Sequence, residues 1–248
     1  MTKNVIEVSE LSAAFDERQV LRKVNFSVPG QQVTVILGGS GSGKTTILKH
    51  LLGLYPVDEG RVRIFGRDLA SLSEEEQRLL YQQMGVFYQN GALLNNLNVL
   101  ENIALPLQQH TQLPEDLIAE MVRMKLRLVG LNDAALLFPS QLSGGMLKRA
   151  ALARAIAMDP PLLFCDEPGA GLDPVSLARL DQLILNLKEQ LGITVVMVTH
   201  EVSSILRTAD HIVFLNEGQI VLEGSKEEAL ASDLPVVRDF FGKGTGAY

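Results

Sequence analysis

The sequence predicts an α/β fold with a parallel sheet that is covered on both faces. Short, continuously apolar runs such as Leu162–Cys165 and Thr194–Val198 alternate with longer amphipathic stretches, which is the pattern of a buried parallel sheet. A mainly helical stretch interrupts these runs between about residues 92 and 160. Apolar residues make up 46% of the 248 residues and charged residues 21%, so the chain can bury a sizeable core. We therefore expect one α/β domain with an inserted helical subdomain, rather than two domains in tandem.

The first third of the chain is rich in strand signals. Turn residues, Pro29-Gly30 and Asp58–Gly60, separate short runs that contain many β-branched residues. The runs that we expect to form strands are Val5–Leu11, Val24–Val28, Val33–Leu37 and Arg61–Phe65.

The middle of the chain predicts helices. Pro114 opens one of them and Gly130 ends it. The apolar residues at helical spacing between these two positions are Ile118, Met121, Val122, Leu126 and Val129.

The final third returns to short strands, the last of them Ile212–Leu215. The strands Leu162–Cys165 and Thr194–Val198 are separated by a predicted helix. Its apolar face is expected to consist of Leu177, Leu180, Ile184, Leu187 and Leu191. The last stretch, Ser225–Tyr248, predicts a short helix followed by a Gly-rich end that we expect to be mobile.

Charge and cysteine content exclude several classes of protein. Twenty-nine acidic against 22 basic residues give a net charge of -7, which argues against non-specific binding of nucleic acid. The single cysteine, Cys165, excludes an intrachain disulfide and a Cys-rich zinc site, and a reducing cytosolic compartment is expected. Met1–Glu10 lacks the apolar core of a signal peptide. No segment approaches the roughly 18 consecutive apolar residues that a membrane span needs.

A phosphate-binding loop is predicted at Gly38–Thr45, which reads Gly-Gly-Ser-Gly-Ser-Gly-Lys-Thr. A strand, Val33–Leu37, precedes it and a helical pattern, Thr46–Leu54, follows it. Glycines allow the backbone N–H groups to approach phosphate oxygens closely, and the following helix turns its positive end toward the anion. Lys44 is expected to reach the β- and γ-phosphates, and the Thr45 hydroxyl to ligate Mg²⁺. The alternative is a flexible Gly/Ser-rich turn, which the surrounding strand and helix disfavour.

Two carboxylates follow the apolar strand Leu162–Cys165. Asp166 is placed to bind Mg²⁺ through water, and Glu167 is placed to polarise the attacking water as a base. Ligands bind at the carboxyl ends of strands in open α/β sheets, which supports this interpretation. An Asp-Glu pair in a solvated loop is the alternative. Cys165 itself is expected to be a small buried core residue rather than a nucleophile.

Between these two motifs lies Leu142–Met146, which reads Leu-Ser-Gly-Gly-Met and precedes a basic helical pattern. Here the chain resembles the ATP-binding subunits of ABC transporters, whose signature is Leu-Ser-Gly-Gly-Gln. Ser143, Gly144 and Gly145 at a helix start predict a second anion cradle. By itself the pentapeptide favours a loop with a Ser N-cap, but its position between the P-loop and Asp166-Glu167 favours the signature. Met146 replaces the signature glutamine, and since one hydrogen bond contributes about 0.5–1.5 kcal/mol, we expect activity to survive.

Other family features map onto this chain through about Gly224. Phe15 stands where the family stacks a ring on adenine, or else is an ordinary strand-end Phe. Gln89 matches the loop glutamine that senses magnesium, water and the membrane subunit. Asp173 belongs to a loop that touches the opposite subunit, and His200 matches the switch histidine that contacts the γ-phosphate. The histidines that match no motif, and are expected to be surface or packing residues, are His50, His110 and His211.

The resemblance implies a P-loop NTPase (RecA-like) core with an antiparallel β subdomain and an inserted α-helical subdomain. Residues 1–224 would form the ATPase domain, with the helical subdomain at about 90–160, and residues 225–248 a C-terminal extension. The implied catalytic residues are Lys44, Glu167 and His200, and the implied magnesium ligands are Thr45, Gln89 and Asp166. The residues implied to bind ATP are Phe15, Gly38, Gly39, Ser40, Gly41, Ser42, Gly43, Lys44, Thr45, Thr46, Gln89, Ser143, Gly144, Gly145 and Asp173.

The resemblance also implies partners and a place in the cell. Family members form a homodimer with ATP between the P-loop of one subunit and the signature of the other, and they drive integral-membrane permease subunits. The resemblance therefore implies that the chain lies peripherally on the cytoplasmic face of the bacterial inner membrane. No nucleic-acid partner is expected. Leu94 lies in the segment after Gln89 that would meet the permease; alternatively, it packs inside the helical subdomain.

A narrower resemblance concerns the transported molecule. Gly91–Leu94, Val99–Leu107 and Gln109–Thr111 are similar to the ATPases of Mla and Mce systems, which move phospholipids or other hydrophobic molecules across bacterial envelopes. Such systems add a small regulatory subunit and a periplasmic substrate-binding component. ATPases of importers for amino acids or other small solutes share much of this pattern and stay an alternative. An ABC-type ATPase without a permease is disfavoured, because coiled-coil insertions and paired cassettes are absent.

Overall fold

The strands and helices are those of a computed structural model, which describes residues 3–16 and 18–245. Its strands are β1 (Asn4–Phe15), β2 (Arg18–Pro29), β3 (Val33–Leu37), β4 (Glu59–Ile64), β5 (Arg67–Asp68), β6 (Met84–Phe87), β7 (Leu162–Asp166), β8 (Thr194–Val198), β9 (His211–Asn216) and β10 (Gln219–Ser225). Its α-helices are α1 (Lys44–Leu51), α2 (Glu74–Tyr81), α3 (Val99–His110), α4 (Glu115–Leu128), α5 (Gly144–Ala155), α6 (Pro174–Leu191), α7 (Val202–Thr208), α8 (Lys226–Leu230) and α9 (Pro235–Thr245).

The larger sheet has the strand order β10-β9-β3-β8-β7-β6 and is parallel except for β10. Strands β3 and β8 are buried along their whole length, as their continuous apolar sequences predict. In the register of the sheet, Asp166 of β7 lies beside Val198 of β8, and Val198 lies beside Ile36 of β3. The ends of these three strands therefore meet at one edge, where the P-loop, the carboxylates and His200 follow them in sequence.

A smaller antiparallel sheet, ordered β2-β1-β4-β5, shares a hydrophobic core with one face of the larger sheet. Ile6, Phe26 and Val62 of the smaller sheet lie in this core with Ile36 and Phe164 of the larger one. The other face of the larger sheet packs against α5, α6, α7 and α9. Helices thus pack on one face, and the small sheet and α1 pack on the other. The predicted fold class is confirmed.

Three helices, α3, α4 and α5, lie between β6 and β7 and have a core of their own. Ile103, Val122 and Leu126 are buried there, as helical spacing predicts for the last two. Asn98 and Glu101 form a capping box at the start of α3, which satisfies two of its backbone N–H groups.

Several elements depart from the prediction. Leu191, expected on the apolar face of α6, is the last residue of that helix and is 42% exposed. Strands β6 and β10 were not predicted: β6 has only four residues, and β10 is half exposed and carries charge. The C-terminal stretch forms two helices, and Val237 of α9 is buried in the core. Residues 246–248 of the Gly-rich end lie outside the described residues.

Within residues 3–16 and 18–245, no helix combines the length and the hydropathy that crossing a membrane requires.

Candidate active site

The loop between β3 and α1 can be built only from glycine at two of its positions. Gly38 has φ +148°, and a Cβ there would lie 1.9 Å from the carbonyl oxygen of Leu215. Gly43 has φ +112°, and its Cβ would lie 2.8 Å from Leu21 Cδ2. The loop is thus folded tightly against its neighbours, with α1 starting at Lys44. The first N–H groups of α1 are available to a ligand.

Two polar side chains here, those of Ser42 and Lys44, are suited to bind an anion. Lys44 Nζ donates hydrogen bonds to the carbonyl oxygens of Gly38 and Gly39, both at 2.8 Å. Burial lowers the pKa of Lys44, and the charge of Glu167 partly offsets this effect. The Ser42 hydroxyl is buried and has no hydrogen-bond partner among the described residues. An orphaned hydroxyl, a half-buried ammonium and a glycine cradle together fit a phosphate chain.

A cavity of about 840 Å³ opens beside the loop, and residues from Gly41 to Thr46 line it. Phe15, at the end of β1, lies on its wall and is 41% exposed, with its ring centroid 5.2 Å from that of Tyr55. The volume lies within the range of small-molecule sites. Arg18 and Val20 also line the cavity, although no motif in the sequence marks them. Phe15 is therefore placed where a base attached to a bound phosphate chain would lie.

Asp166 and Glu167 leave the end of β7 in different environments. Burial raises the pKa of the half-buried Asp166, the neighbouring Glu167 raises it further, and Lys49 lowers it. Glu167 has φ +43°, and its backbone N–H donates to the carbonyl oxygen of Val198 at 2.8 Å. A left-handed conformation at a non-glycine residue is strained, and such residues cluster at functional sites.

The structure brings His200 into contact with Glu167. His200 Nδ1 lies 2.8 Å from Glu167 Oε1, with the carboxylate side chain 15% exposed and the imidazole 63% exposed. Since a carboxylate only accepts, Nδ1 carries the proton in this contact. The other carboxylate oxygen, Oε2, is buried and has no partner among the described residues. A carboxylate with one oxygen held by an exposed imidazole, and the other buried without a partner among the described residues, can accept a proton from a water molecule.

Gln89 lies in the exposed loop that follows β6. Its backbone carbonyl accepts a hydrogen bond from Lys148, a side chain of α5 that is 6% exposed. The residues from Leu94 to Asn98 in the same loop are held by Asn102, which is fully buried. The sequence did not predict that Lys148 and Asn102 hold this loop. Lys148 lies 59 residues from Gln89 in sequence, and the contacts of Asn102 depend on the conformation of the loop.

Two of the remaining predicted ligands are helix N-caps that do not line the P-loop cavity among the described residues. Ser143 is the N-cap of α5, where its hydroxyl accepts a hydrogen bond from the Met146 N–H at 3.3 Å. Ser143 and Gly145 line a separate cavity of about 440 Å³. Asp173 is the N-cap of α6, and hydrogen bonds from Ser176 lower its pKa. Neither residue lines the P-loop cavity within the part of the chain that is described.

The other titratable residues singled out in the sequence are buried, paired or at the surface, outside the P-loop cavity. His50 is buried, with Nδ1 2.8 Å from the carbonyl oxygen of Thr46. His211 Nε2 lies 3.4 Å from Glu223, and His110 is exposed. Burial raises the pKa of the Cys165 thiol, which keeps it protonated and unreactive.

Comparison with known proteins identifies relatives along nearly the whole chain. Residues 21–170 match the family model described as ABC transporter. The chain is 41% identical over 247 residues to the intermembrane phospholipid transport system ATP-binding protein MlaF of Haemophilus influenzae, covering 99% of this chain and 94% of that protein. It is also 41% identical to the probable ribonucleotide transport ATP-binding protein mkl of Mycobacterium leprae, covering 95% of this chain and 68% of that protein.

Solved structures share the fold. CbiO1 of Clostridium perfringens, part of the ABC transporter complex cbiONQ, superposes with a TM-score of 0.85 at 27% identity, covering 96% of this chain and 97% of that one. The ATP-binding cassette MJ0796, described as a dimer in a post-hydrolysis state with ADP and Pi, superposes with a TM-score of 0.79 at 29% identity, covering 89% of this chain and 98% of that one.

Proposed function

Because this chain belongs to the ATP-hydrolysing cassettes of the ABC transporter family, we propose that it powers the movement of phospholipid, or another hydrophobic compound, through a partner permease. The observation that carries the lipid assignment is the 41% identity to a phospholipid transport ATP-binding protein over 99% of this chain. The match includes Gln89 and the segment after it, which the resemblance places against the permease.

ATP binds, in this proposal, along the P-loop cavity. The loop N–H groups from Gly39 to Thr46 and the Lys44 ammonium meet the phosphates, and Phe15 stacks on the base. Lys44 already donates to two loop carbonyls, so it is held in place before the nucleotide arrives. Its pre-organisation reduces the entropy lost on binding. The half-buried position strengthens the attraction of the ammonium to the β- and γ-phosphates.

Glu167 takes the proton of the attacking water in the proposed reaction. Its Oε2 atom is buried without a partner among the described residues, so it is free to accept, while His200 holds Oε1. His200 is exposed and can also turn toward the γ-phosphate. Mg²⁺, held by Thr45, Gln89 and Asp166, would neutralise charge on the β- and γ-phosphates. The oxygen donors of these residues are those that this ion prefers.

Two chains together complete each ATP site in this proposal. Among the described residues, Ser143 and Asp173 do not line the P-loop cavity of their own chain. The N-terminus of α5 at Ser143 and Gly144 suits an anion from outside the chain. Both observations support a homodimer in which the N-terminus of α5 contacts the ATP bound by the partner chain.

The loop after Gln89 is the proposed contact with the permease. Leu94 is 43% exposed, whereas Leu93 packs against two hydrophobic cores. The chain would lie on the cytoplasmic face of the bacterial inner membrane through this contact. A small regulatory subunit and a periplasmic substrate-binding component complete the proposed assembly.

The test begins with gentle detergent extraction and identification of the membrane proteins that co-purify with the chain. The resulting complex is then reconstituted in phospholipid vesicles, and ATP hydrolysis and lipid movement are measured together. We expect the complex to move labelled phospholipid only with ATP, and the Glu167→Gln complex to move none. Transport of an amino acid in place of lipid would overturn the lipid assignment and favour the importer alternative.

A further inference from the structure

Helix α5 holds the Gln89 loop through two cations. Lys148 donates to the backbone carbonyl oxygen of Gln89. One turn and a half further along, Arg154 donates from Nη1 to the carbonyl oxygen of Ala92 at 2.7 Å and from Nη2 to that of Gly91 at 3.0 Å. Three carbonyl groups within four residues of the loop are thus bound by side chains of a single helix.

The loop backbone is shaped to lie against this helix. Gly91 has φ +72° and Ala92 φ +50°, so two successive residues are left-handed. A Cβ on Gly91 would lie 2.8 Å from Leu147 Cδ2 and 3.2 Å from Ala151 Cβ, both on α5. The strained backbone turns the carbonyl groups to the helix, and the missing side chain of Gly91 allows the close approach.

We infer that Arg154, together with Lys148, is a positioning residue for Gln89. Helix α5, which carries both cations, has Ser143 as its N-cap. The segment proposed to meet the partner's ATP and the loop proposed to reach magnesium and the permease therefore form one unit. A displacement of α5 when ATP joins two chains then carries the Gln89 loop with it. The inference rests on the proposed function for the roles of Ser143 and Gln89.

The chain supplies a matched control for this inference. Arg149 also lies on α5 and also binds two backbone carbonyl oxygens, those of Val129 at 3.0 Å and Gly130 at 2.9 Å. Its partners lie at the end of α4, not in the Gln89 loop. If the α5 cations only stabilise the helical subdomain, Arg149→Met and Arg154→Met have the same consequences.

The first measurement compares steady-state ATP hydrolysis by the two full-length variants. We expect Arg154→Met to lower kcat by about 10- to 100-fold, as loss of a contact that supports the loop of a metal ligand does, with KM for ATP within about twofold of wild type. Phe15 and the P-loop, which bind ATP, are untouched. Arg149→Met should keep kcat within about twofold. Arg154→Lys should recover part of the rate, because an ammonium can still reach one carbonyl.

The second measurement is amide hydrogen exchange of the loop in the same proteins. Arg154→Met and Lys148→Met should each speed exchange in residues 88–97, and Arg149→Met should not. Equal effects of Arg149→Met and Arg154→Met on rate and exchange would overturn the inference, as would normal kcat and exchange in Arg154→Met. Should Arg154→Met not fold, Lys148→Met and Arg154→Lys supply the same comparison.

Gln89→Ala separates this inference from the proposed function. If Gln89→Ala hydrolyses ATP at the normal rate, the proposed role of Gln89 fails, and the exchange measurement alone decides whether the cations hold the loop. If Gln89→Ala is slow and Arg154→Met is normal in both measurements, the positioning inference fails while the proposed function stands.

Discussion

At the scale of single residues, Glu167 has the environment of a base. It combines a left-handed backbone, one oxygen held by His200 and one buried oxygen without a partner among the described residues. Glu167→Gln keeps the shape but cannot take a proton from water, so we expect turnover to fall by about 10²–10⁴-fold while ATP still binds. An ATPase assay measures the loss, and gel filtration with ATP should show an accumulated dimer.

Lys44→Ala is the contrasting variant for that experiment. It removes the ammonium that donates to Gly38 and Gly39, so we expect neither ATP binding nor the ATP-dependent dimer. Normal turnover by Glu167→Gln would remove Glu167 from its assigned role, whatever Lys44→Ala does.

The Asp166 carboxylate is expected to destabilise the nucleotide-free fold at neutral pH, although the proposed reaction requires it. Burial and the adjacent Glu167 raise its pKa, so the charged carboxylate is disfavoured in the folded chain relative to the unfolded one. Its destabilising effect is present above the folded-state pKa and disappears as the pH falls through that value. At pH 7, Asp166→Asn should therefore raise the melting temperature of the nucleotide-free protein by about 2 °C while abolishing magnesium-dependent turnover.

Thermal melts of wild type and Asp166→Asn across a pH series check this prediction. The gap between the two melting temperatures should narrow as the pH is lowered toward and through the raised pKa. A gap that widens on acidification would show that the carboxylate stabilises the nucleotide-free fold.

At the scale of elements, the loop between β6 and α3 contains two adjacent leucines in different environments. Leu94 is 43% exposed, and Leu93 packs against the sheet core and the helical core. We expect Leu94→Asp to fold and bind ATP normally but to lose its association with the permease, because an unpartnered charge against an apolar contact costs on the order of several kcal/mol. Membrane-fraction binding and ATP affinity are the two measurements.

Leu93→Asp is the control for that loop. It places the charge against both cores, so it should lower the melting temperature or unfold the chain. If Leu94→Asp also unfolds the chain, the leucines serve packing alone. If it folds and still binds the permease with wild-type affinity, the permease contacts another surface.

At the scale of the whole molecule, Ser143 and the P-loop line different cavities of one chain, which predicts complementation between two inactive chains. Mixing Lys44→Ala with Ser143→Arg produces heterodimers in which the intact P-loop of one chain faces the intact signature of the other. We expect ATP hydrolysis above that of either variant alone, approaching half the wild-type rate per heterodimer if the two sites act independently. The measurement is an ATPase titration with excess Lys44→Ala chains.

The double variant Lys44→Ala, Ser143→Arg supplies the comparison. Mixed with Lys44→Ala chains, it forms no intact site and should give no recovery. A Lys44→Ala and Ser143→Arg mixture that is equally inactive would take away the main support for sites shared between chains.

Patterns among neighbouring residues in the sequence were enough to predict much of the fold and the candidate site. The P-loop and the two carboxylates were predictable from sequence. Each motif comes directly after an apolar run that forms a strand, β3 in the first case and β7 in the second. The continuous apolar sequences of β3 and β8 likewise predicted burial on both faces, and the structure has both fully buried. The bounds of these two strands agree with the prediction.

Contacts between distant segments depended on the tertiary structure. His200 meets Glu167 across 33 residues, and Lys148 reaches the Gln89 carbonyl across 59, because the order of the strands brings their ends and the inserted helices together. The short strand β6 is stabilised by its pairing with β7, which its own four residues do not reveal. Sequence alone therefore determined which chemical groups are present. Only packing decided which of them meet, because burial and register depend on the whole chain at once.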